Sequence, residues 1–180
     1  MATCLFAVQP QKPATKEPQL GRRPSPEAVR ARISEDVRHE LAQLPYIGVF
    51  DWIEWQAGAD GVVVLRGQVT RPTKKSDAEY RLKRLESVSK VVNRIEVLPL
   101  STSDDATRVA MYRAIFTYNS PLFRYSLGTV PSIHIIVKNG RATLKGVVAN
   151  KMDKQLAYSA ARGVSGVFEV KDELVVEKKG

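Results

Sequence analysis

The stretch AMYRAIFTYNSPLFRYSLG, residues 110–128, gathers Tyr112, Phe116, Tyr118, Phe123 and Tyr125 around Arg113 and Arg124. Aromatic rings beside guanidiniums suit a headgroup boundary, where rings take the apolar side and arginines meet phosphate. The same spacing also serves a core: Tyr112, Ile115 and Phe116 recur at helical periodicity and are expected to bury against a sheet. Tyr118, Phe123, Arg124 and Tyr125 lie beyond that helix and are expected at the surface. The lipid-binding candidates are therefore Arg113, Tyr118, Phe123, Arg124 and Tyr125, joined by Lys145 from a loose basic group that also holds Arg141, Lys151 and Lys154.

A second basic run, Arg71 to Lys75 with Arg81, Lys83 and Arg84, could meet anionic lipid or RNA. Asp77, Glu79 and Glu86 dilute it, as in an ordinary solvated surface. Gly163-Val164-Ser165-Gly166 spells a GxxG clamp of the KH type, yet such a loop lies between two helices, and here a strand pattern, VFEVK, follows at once. No nucleic-acid partner is expected. His39 stands among charges and His134 among isoleucines; far apart and without carboxylates at ligand spacing, they make a poor metal site. No P-loop, GxSxG, HExxH or dinucleotide-binding turn occurs. The sequence implies no catalytic residue, no metal and no cofactor.

The chain has 180 residues and a net charge of +9, with a sequence pI near 9.8. Residues 100–180 hold twelve basic against seven acidic side chains, whereas residues 27–99 are nearly balanced. A single cysteine, Cys4, rules out an internal disulfide and a Cys-cluster zinc site, so packing must stabilise the fold. No apolar run approaches the ~18 residues that span a bilayer. MATCLFAV reads either as a loose N-terminus or as the end of a signal-peptide apolar segment, and residues 9–26, with five prolines, as an extended linker.

These residues need a scaffold. Ser25 and Pro26 suit the start of a helix, whose Val29, Ile33, Val37 and Leu41 share one face and which should stop near Leu44. VFDWIEWQ and VVVLRGQV around the AGADG loop read as an antiparallel hairpin. RPTKKSD reads as a turn, Ala78, Leu82 and Leu85 as one face of a short helix, and VVNRIEVLP as a third strand. The pattern then restarts. Ser103 is the expected cap of a helix with Val109, Tyr112, Ile115 and Phe116 on its core face. SIHIIVKNGRATLKGVV is a hairpin with an Asn-Gly turn, Leu156, Ala157, Ala160 and Ala161 mark another helix, and VFEVKDELVVE a last strand.

The second half repeats the first at a constant offset of 79 residues: Leu65 and Leu144, Gly67 and Gly146, Val69 and Val148, Ala78 and Ala157, Val91 and Val170. A module of this size buries a marginal core alone, which favours two copies packed together. The expected fold is α+β: two α-β-β-α-β modules, each a three-stranded mixed sheet with two helices on one face. Boundaries fall at residues 1–24 for the N-terminal segment, 25–100 and 101–180 for the modules. On each second strand the glycine sits between inward-facing leucine and valine, a position that permits a bulge or the close approach of a packed helix. The second sheet faces carry Phe50, Trp52, Val62 and Val64 in the first module and Ile136 and Val175 in the second, expected to pack module on module or to receive a partner.

The order of elements, the paired VVVLRGQV and ATLKGVV strands, and the closing SVSKVVNRIEV and GVSGVFEVKDELVV resemble two tandem BON domains, over about residues 27 to 178. The first copy departs from the pattern where ESVSKV replaces the usual glycine-containing turn. The resemblance implies a non-enzymatic bacterial protein of the periplasm or outer envelope, cytoplasmic if Met1 is the true start. It would lie peripheral to the membrane, bind anionic phospholipid or another envelope polymer, meet envelope proteins, and serve in osmotic or envelope stress. The resemblance transfers no binding residue.

Overall fold

The computed structural model describes residues 24–128 and 131–177. The expectations for MATCLFAV, Cys4 and most of the proline-rich linker lie outside the described residues. Two modules follow one another. The first is α1 (Pro26–Ala42), β1 (Trp52–Ala57), β2 (Val62–Val69), α2 (Pro72–Leu82) and β3 (Lys90–Val97). The second is α3 (Thr102–Ile115), a 3-10 helix (Pro121–Ser126), β4 (Ile133–Lys138), β5 (Arg141–Val148), α4 (Lys151–Arg162) and β6 (Glu169–Val176). In each, an antiparallel hairpin is joined by a helical crossover to a parallel third strand, giving the separate orders β1-β2-β3 and β4-β5-β6.

Each helix starts where the sequence offers a cap or a proline. The Ser25 hydroxyl accepts from the Ala28 amide with Pro26 in the first turn, and Asn150 accepts from the Asp153 amide. Two starts differ from the sequence reading. The α2 helix begins at Pro72, inside RPTKKSD, because proline at the first helical position loses no hydrogen bond. The α3 helix is capped by Ser101 rather than Ser103, and begins at Thr102.

Inward positions of β2 and β5 alternate as a half-buried strand requires: Val63, Leu65 and Val69 in one module, Ala142, Leu144 and Val148 in the other, all buried. Ile33, Val37, Leu41, Ala78, Leu82 and Ile95 complete the first core; Met111, Ile115, Leu122, Ala157, Ala161 and Leu174 complete the second. The core face of α3 is the expected one only at its end, where Ile115 and Phe116 are buried. Thr107, Arg108, Met111 and Ile115 are buried, while Val109 and Tyr112 are exposed. Asp104 decides the rotation: its carboxylate accepts from the amides of Asn139 and Gly140, both at 2.8 Å, in the β4–β5 turn, so the face through Asp104 and Arg108 must lie against the sheet. Arg108 donates to the Val137 carbonyl at 2.6 Å. On α4, Leu156 likewise faces outward, and Asp153, Ala157 and Ala161 make the inner face.

The repeated glycines fit neither a packed helix nor a bulge. Gly67 and Gly146 both adopt φ +123, and a Cβ on either would stand 2.0 Å from a carbonyl oxygen of the adjacent strand or its entry, Trp52 and Ser132 respectively. The neighbouring backbone approaches there too closely for any side chain.

The modules use one joint in opposite polarity. Lys74 and Asp153 are equivalent positions in the first turns of α2 and α4. Lys74 donates to buried Asp51 at 2.5 Å, and Asp51 also accepts from the Gly48 amide at 3.0 Å and from the amide and hydroxyl of Thr70 at 2.8 and 2.9 Å. In the second module the acid is on the helix: Asp153 accepts from Arg124, from the Tyr125 hydroxyl at 2.6 Å and from the Asn150 amide group at 3.0 Å. Either way, a buried ionic network pins the helix start to the segment entering the sheet.

Candidate functional site

Two surfaces collect the chemistry-bearing side chains. One is where the modules meet. Register places Trp52, Gln68 and Glu96 in one row across the outer face of the first sheet. On β4 of the second sheet His134, Ile136 and Lys138 share the outward face. The ends of these two rows touch: the Trp52 ring meets His134 edge-on with centroids 5.1 Å apart, and Glu96 bonds Lys138. The Ile135 amide donates to the Val49 carbonyl at 2.7 Å, a backbone link between modules. Phe50 was expected on a sheet face; it precedes β1 and instead packs on the second core, edge-on to Tyr112 at 6.3 Å. Ile136 is buried. Phe50 and Trp52 thus both reach the second module, by different faces, and Ile136 lies between His134 and Lys138 on the face that meets the first, whereas Val62 and Val64 lie further along β2, half-buried, with Gln56 beside Val64.

His134 is buried where the modules meet. It is 5% exposed, its Nδ1 has no hydrogen-bond partner, and burial pushes its pKa below the ordinary value against the opposing pull of the Asp51, Gly48 and Pro131 backbone and the Asp51 charge. Lys145 lies over the Trp52 ring at 5.7 Å and pairs with Glu173 at 2.9 Å. Lys171 on one side and Lys145 on the other hold the Glu173 carboxyl below the usual carboxylate range. Lys145, grouped by sequence with the lipid-binding candidates, is therefore committed to the junction.

The second surface is the edge formed by the end of α3, the 3-10 helix and the start of α4. Ser120 caps the 3-10 helix and Leu122 anchors it in the core. Tyr118 is 82% exposed and its ring meets Phe123 edge-on at 5.4 Å. Arg113 is exposed, as are Leu127 at the far end of the 3-10 helix and Met152 on α4. Arg124 stacks on Tyr125 at 4.9 Å and bonds Asp153; the Tyr125 hydroxyl also receives the Ala149 amide at 2.9 Å. Of the expected lipid-facing set, Arg113, Tyr118 and Phe123 are not tied into the Asp153 network, Arg124 keeps about half its side chain in solvent, and Tyr125 is a structural tether. No pattern in the sequence marks Asp153 as their organiser.

Gly163 and Gly166 close α4 and lead into β6, so the GxxG lies between a helix and a strand. Among the described residues no group of three or more His, Cys, Asp or Glu could hold a metal ion, and no helix is long and apolar enough to cross a membrane.

The chain is thus a duplicated small α+β module, joined by an aromatic and ionic seam and carrying an exposed aromatic-arginine edge. The chain belongs to the BON domain family, whose model matches residues 30–99 and 122–178. No curated protein matches the chain significantly. Among solved structures it is similar to the C-terminal domain of CdsD, the structural protein of the Type III secretion system of Chlamydia trachomatis, at 15% identity and TM-score 0.29, over 80% of this chain and 96% of that one. A second CdsD structure is similar at 16% identity and TM-score 0.29, over 81% and 92%.

Proposed function

We propose that the protein is a non-enzymatic component of the bacterial envelope that binds anionic phospholipid at a membrane surface through the edge of its second module. The observation that carries this reading is Tyr118, 82% exposed and braced by Phe123, in a segment that also exposes Arg113 and half of Arg124. A large ring held in water by a rigid neighbour gains by entering the headgroup layer, and flanking cations contribute about 1 kcal/mol each near an anionic surface. Membership in the BON family supports an envelope setting, in the periplasm or at the outer membrane, and Asp153 supports the geometry by holding Arg124 beside the rings.

Co-sedimentation of the full chain with phosphatidylglycerol and with phosphatidylcholine vesicles tests the reading. Binding should favour the acidic vesicles and weaken steeply between 50 and 300 mM salt, on the order of the charge screening expected over that range. Tyr118→Ser should weaken it about fivefold or more, from loss of roughly 1–2 kcal/mol of ring insertion. Equal recovery on both vesicles, or unchanged binding by the Tyr118→Ser variant, would overturn it.

A further inference from the structure

One equivalent pair of residues on the outer sheet faces carries opposite charges in the second module and like charges in the first. In the second, Lys145 faces Glu173 across the parallel β5–β6 ladder and the two form an ion pair at 2.9 Å. The positions 79 residues earlier are Arg66 and Arg94, which face each other across β2–β3 in the same register. Their neighbours Leu65 and Ile95 point into the core, so both arginines project from the outer face, and both are exposed.

Side chains directly opposite on neighbouring strands leave the backbone about 5 Å apart, where like charges repel. Among the described residues neither arginine makes an ion pair. The two acids beside them are engaged elsewhere: Glu54, opposite Arg66 on β1, accepts from the Trp52 indole at 3.2 Å, and Glu96, two residues beyond Arg94 on the same face, bonds Lys138. With β3 at the edge of its sheet, no strand lies on the far side of Arg94 to bring another. Lys90, on the same face of β3, adds positive charge further along. The second module shows that this place in the fold accepts a compensating acid; the first sets a second cation there.

Two guanidiniums a strand spacing apart present donors in planar forks to one tetrahedral oxyanion, whose oxygens can accept from both. We propose that Arg66 and Arg94 form a binding site for a phosphate group on the outer face of the first sheet. The site is separate from the Tyr118 edge and does not rest on it. The phosphate belongs either to a small soluble ester or to a lipid headgroup, and the two sources are separable by experiment.

The test is thermal unfolding of the full chain with inorganic pyrophosphate, and co-sedimentation with phosphatidic acid vesicles, for the natural protein and for Arg94→Glu, Arg94→Gln and Arg162→Glu. Arg94→Glu rebuilds the charge pairing of the second module, so without ligand its Tm should rise by about 1–3 °C. At a hundredfold excess over Kd, pyrophosphate should raise the Tm of the natural protein by about 5–10 °C, and both Arg94 variants should lose that response. Arg162→Glu, which makes the same change in net charge on a remote helix, should keep it. A pyrophosphate response that depends on Arg94 assigns a soluble ester; dependence on Arg94 seen only with vesicles assigns a headgroup. No response to either probe, a response that survives Arg94→Glu, or equal loss in Arg162→Glu overturns the site. Vesicle binding that depends on Tyr118 but not on Arg94 would leave the second-module reading standing while removing this one.

Discussion

Replacing Gly67 or Gly146 by alanine tests the duplication at its tightest point. In both strands the glycine has φ +123, and an added Cβ would meet the Trp52 or Ser132 carbonyl oxygen at 2.0 Å. An L-residue in that backbone region costs about 1–3 kcal/mol before any contact is considered. Relieving the contact means moving a carbonyl by more than an ångström, on the order of ordinary van der Waals separation. That breaks one or two ladder bonds nearby, at about 1 kcal/mol each. The sum is about 2–5 kcal/mol for either variant, and since 1 kcal/mol shifts a chain of this length by about 2–4 °C, Tm should fall by about 4–20 °C. Gly67→Ala should also loosen the junction, because the carbonyl it displaces is that of Trp52, whose ring packs on His134. Calorimetry of both variants checks this. A loss below about 1 kcal/mol in either, or a large loss in one alone, would refute the claim that the two glycines do the same work.

Asp51→Asn removes the charge that meets the Lys74 ammonium while preserving shape, and should cost about 2–4 kcal/mol in urea unfolding; Asp153→Asn should cost less, since Arg124 is half in solvent. Trp52→Ser should separate the unfolding of the modules, visible as two urea transitions where the natural protein should show one. His134 has a folded-state pKa below its ordinary 6.5, so the unfolded chain takes up the proton first. Stability is therefore full above pH 6.5 and declines as pH falls from there toward the folded-state value, and His134→Gln should flatten that slope in a pH series of denaturation curves.

Much of the fold is legible in the sequence because strand alternation and the 79-residue offset are local signals. Leu65 and Leu144, Gly67 and Gly146, and the Asn139-Gly140 turn declare two copies of one hairpin. The α3 face was not legible, since its orientation is set by polar contacts: Asp104 reaches a turn 35 residues away, and Arg108 is buried against Val137, where an apolar pattern points to Val109 and Tyr112. The aromatic-arginine cluster was visible, but not its division into a tether at Tyr125 and a free ring at Tyr118, which depends on where Asp153 lies. Phe50 was misplaced because the apolar alternation runs past the hydrogen-bonded strand into the turn that bridges the modules. Arg66 could be placed on the outer face by alternation alone. Pairing it with Arg94 needed the parallel register, although the same offset applied to Lys145 and Glu173 would have marked the contrast.

Amide hydrogen exchange of the full chain, with and without phosphatidylglycerol vesicles, bears most directly on the proposed membrane contact. Added protection should concentrate in residues 113–127 and fade at high salt, with little change on the outward face of α2. Protection confined to the first module, or none at vesicle concentrations that sediment the protein, would contradict it.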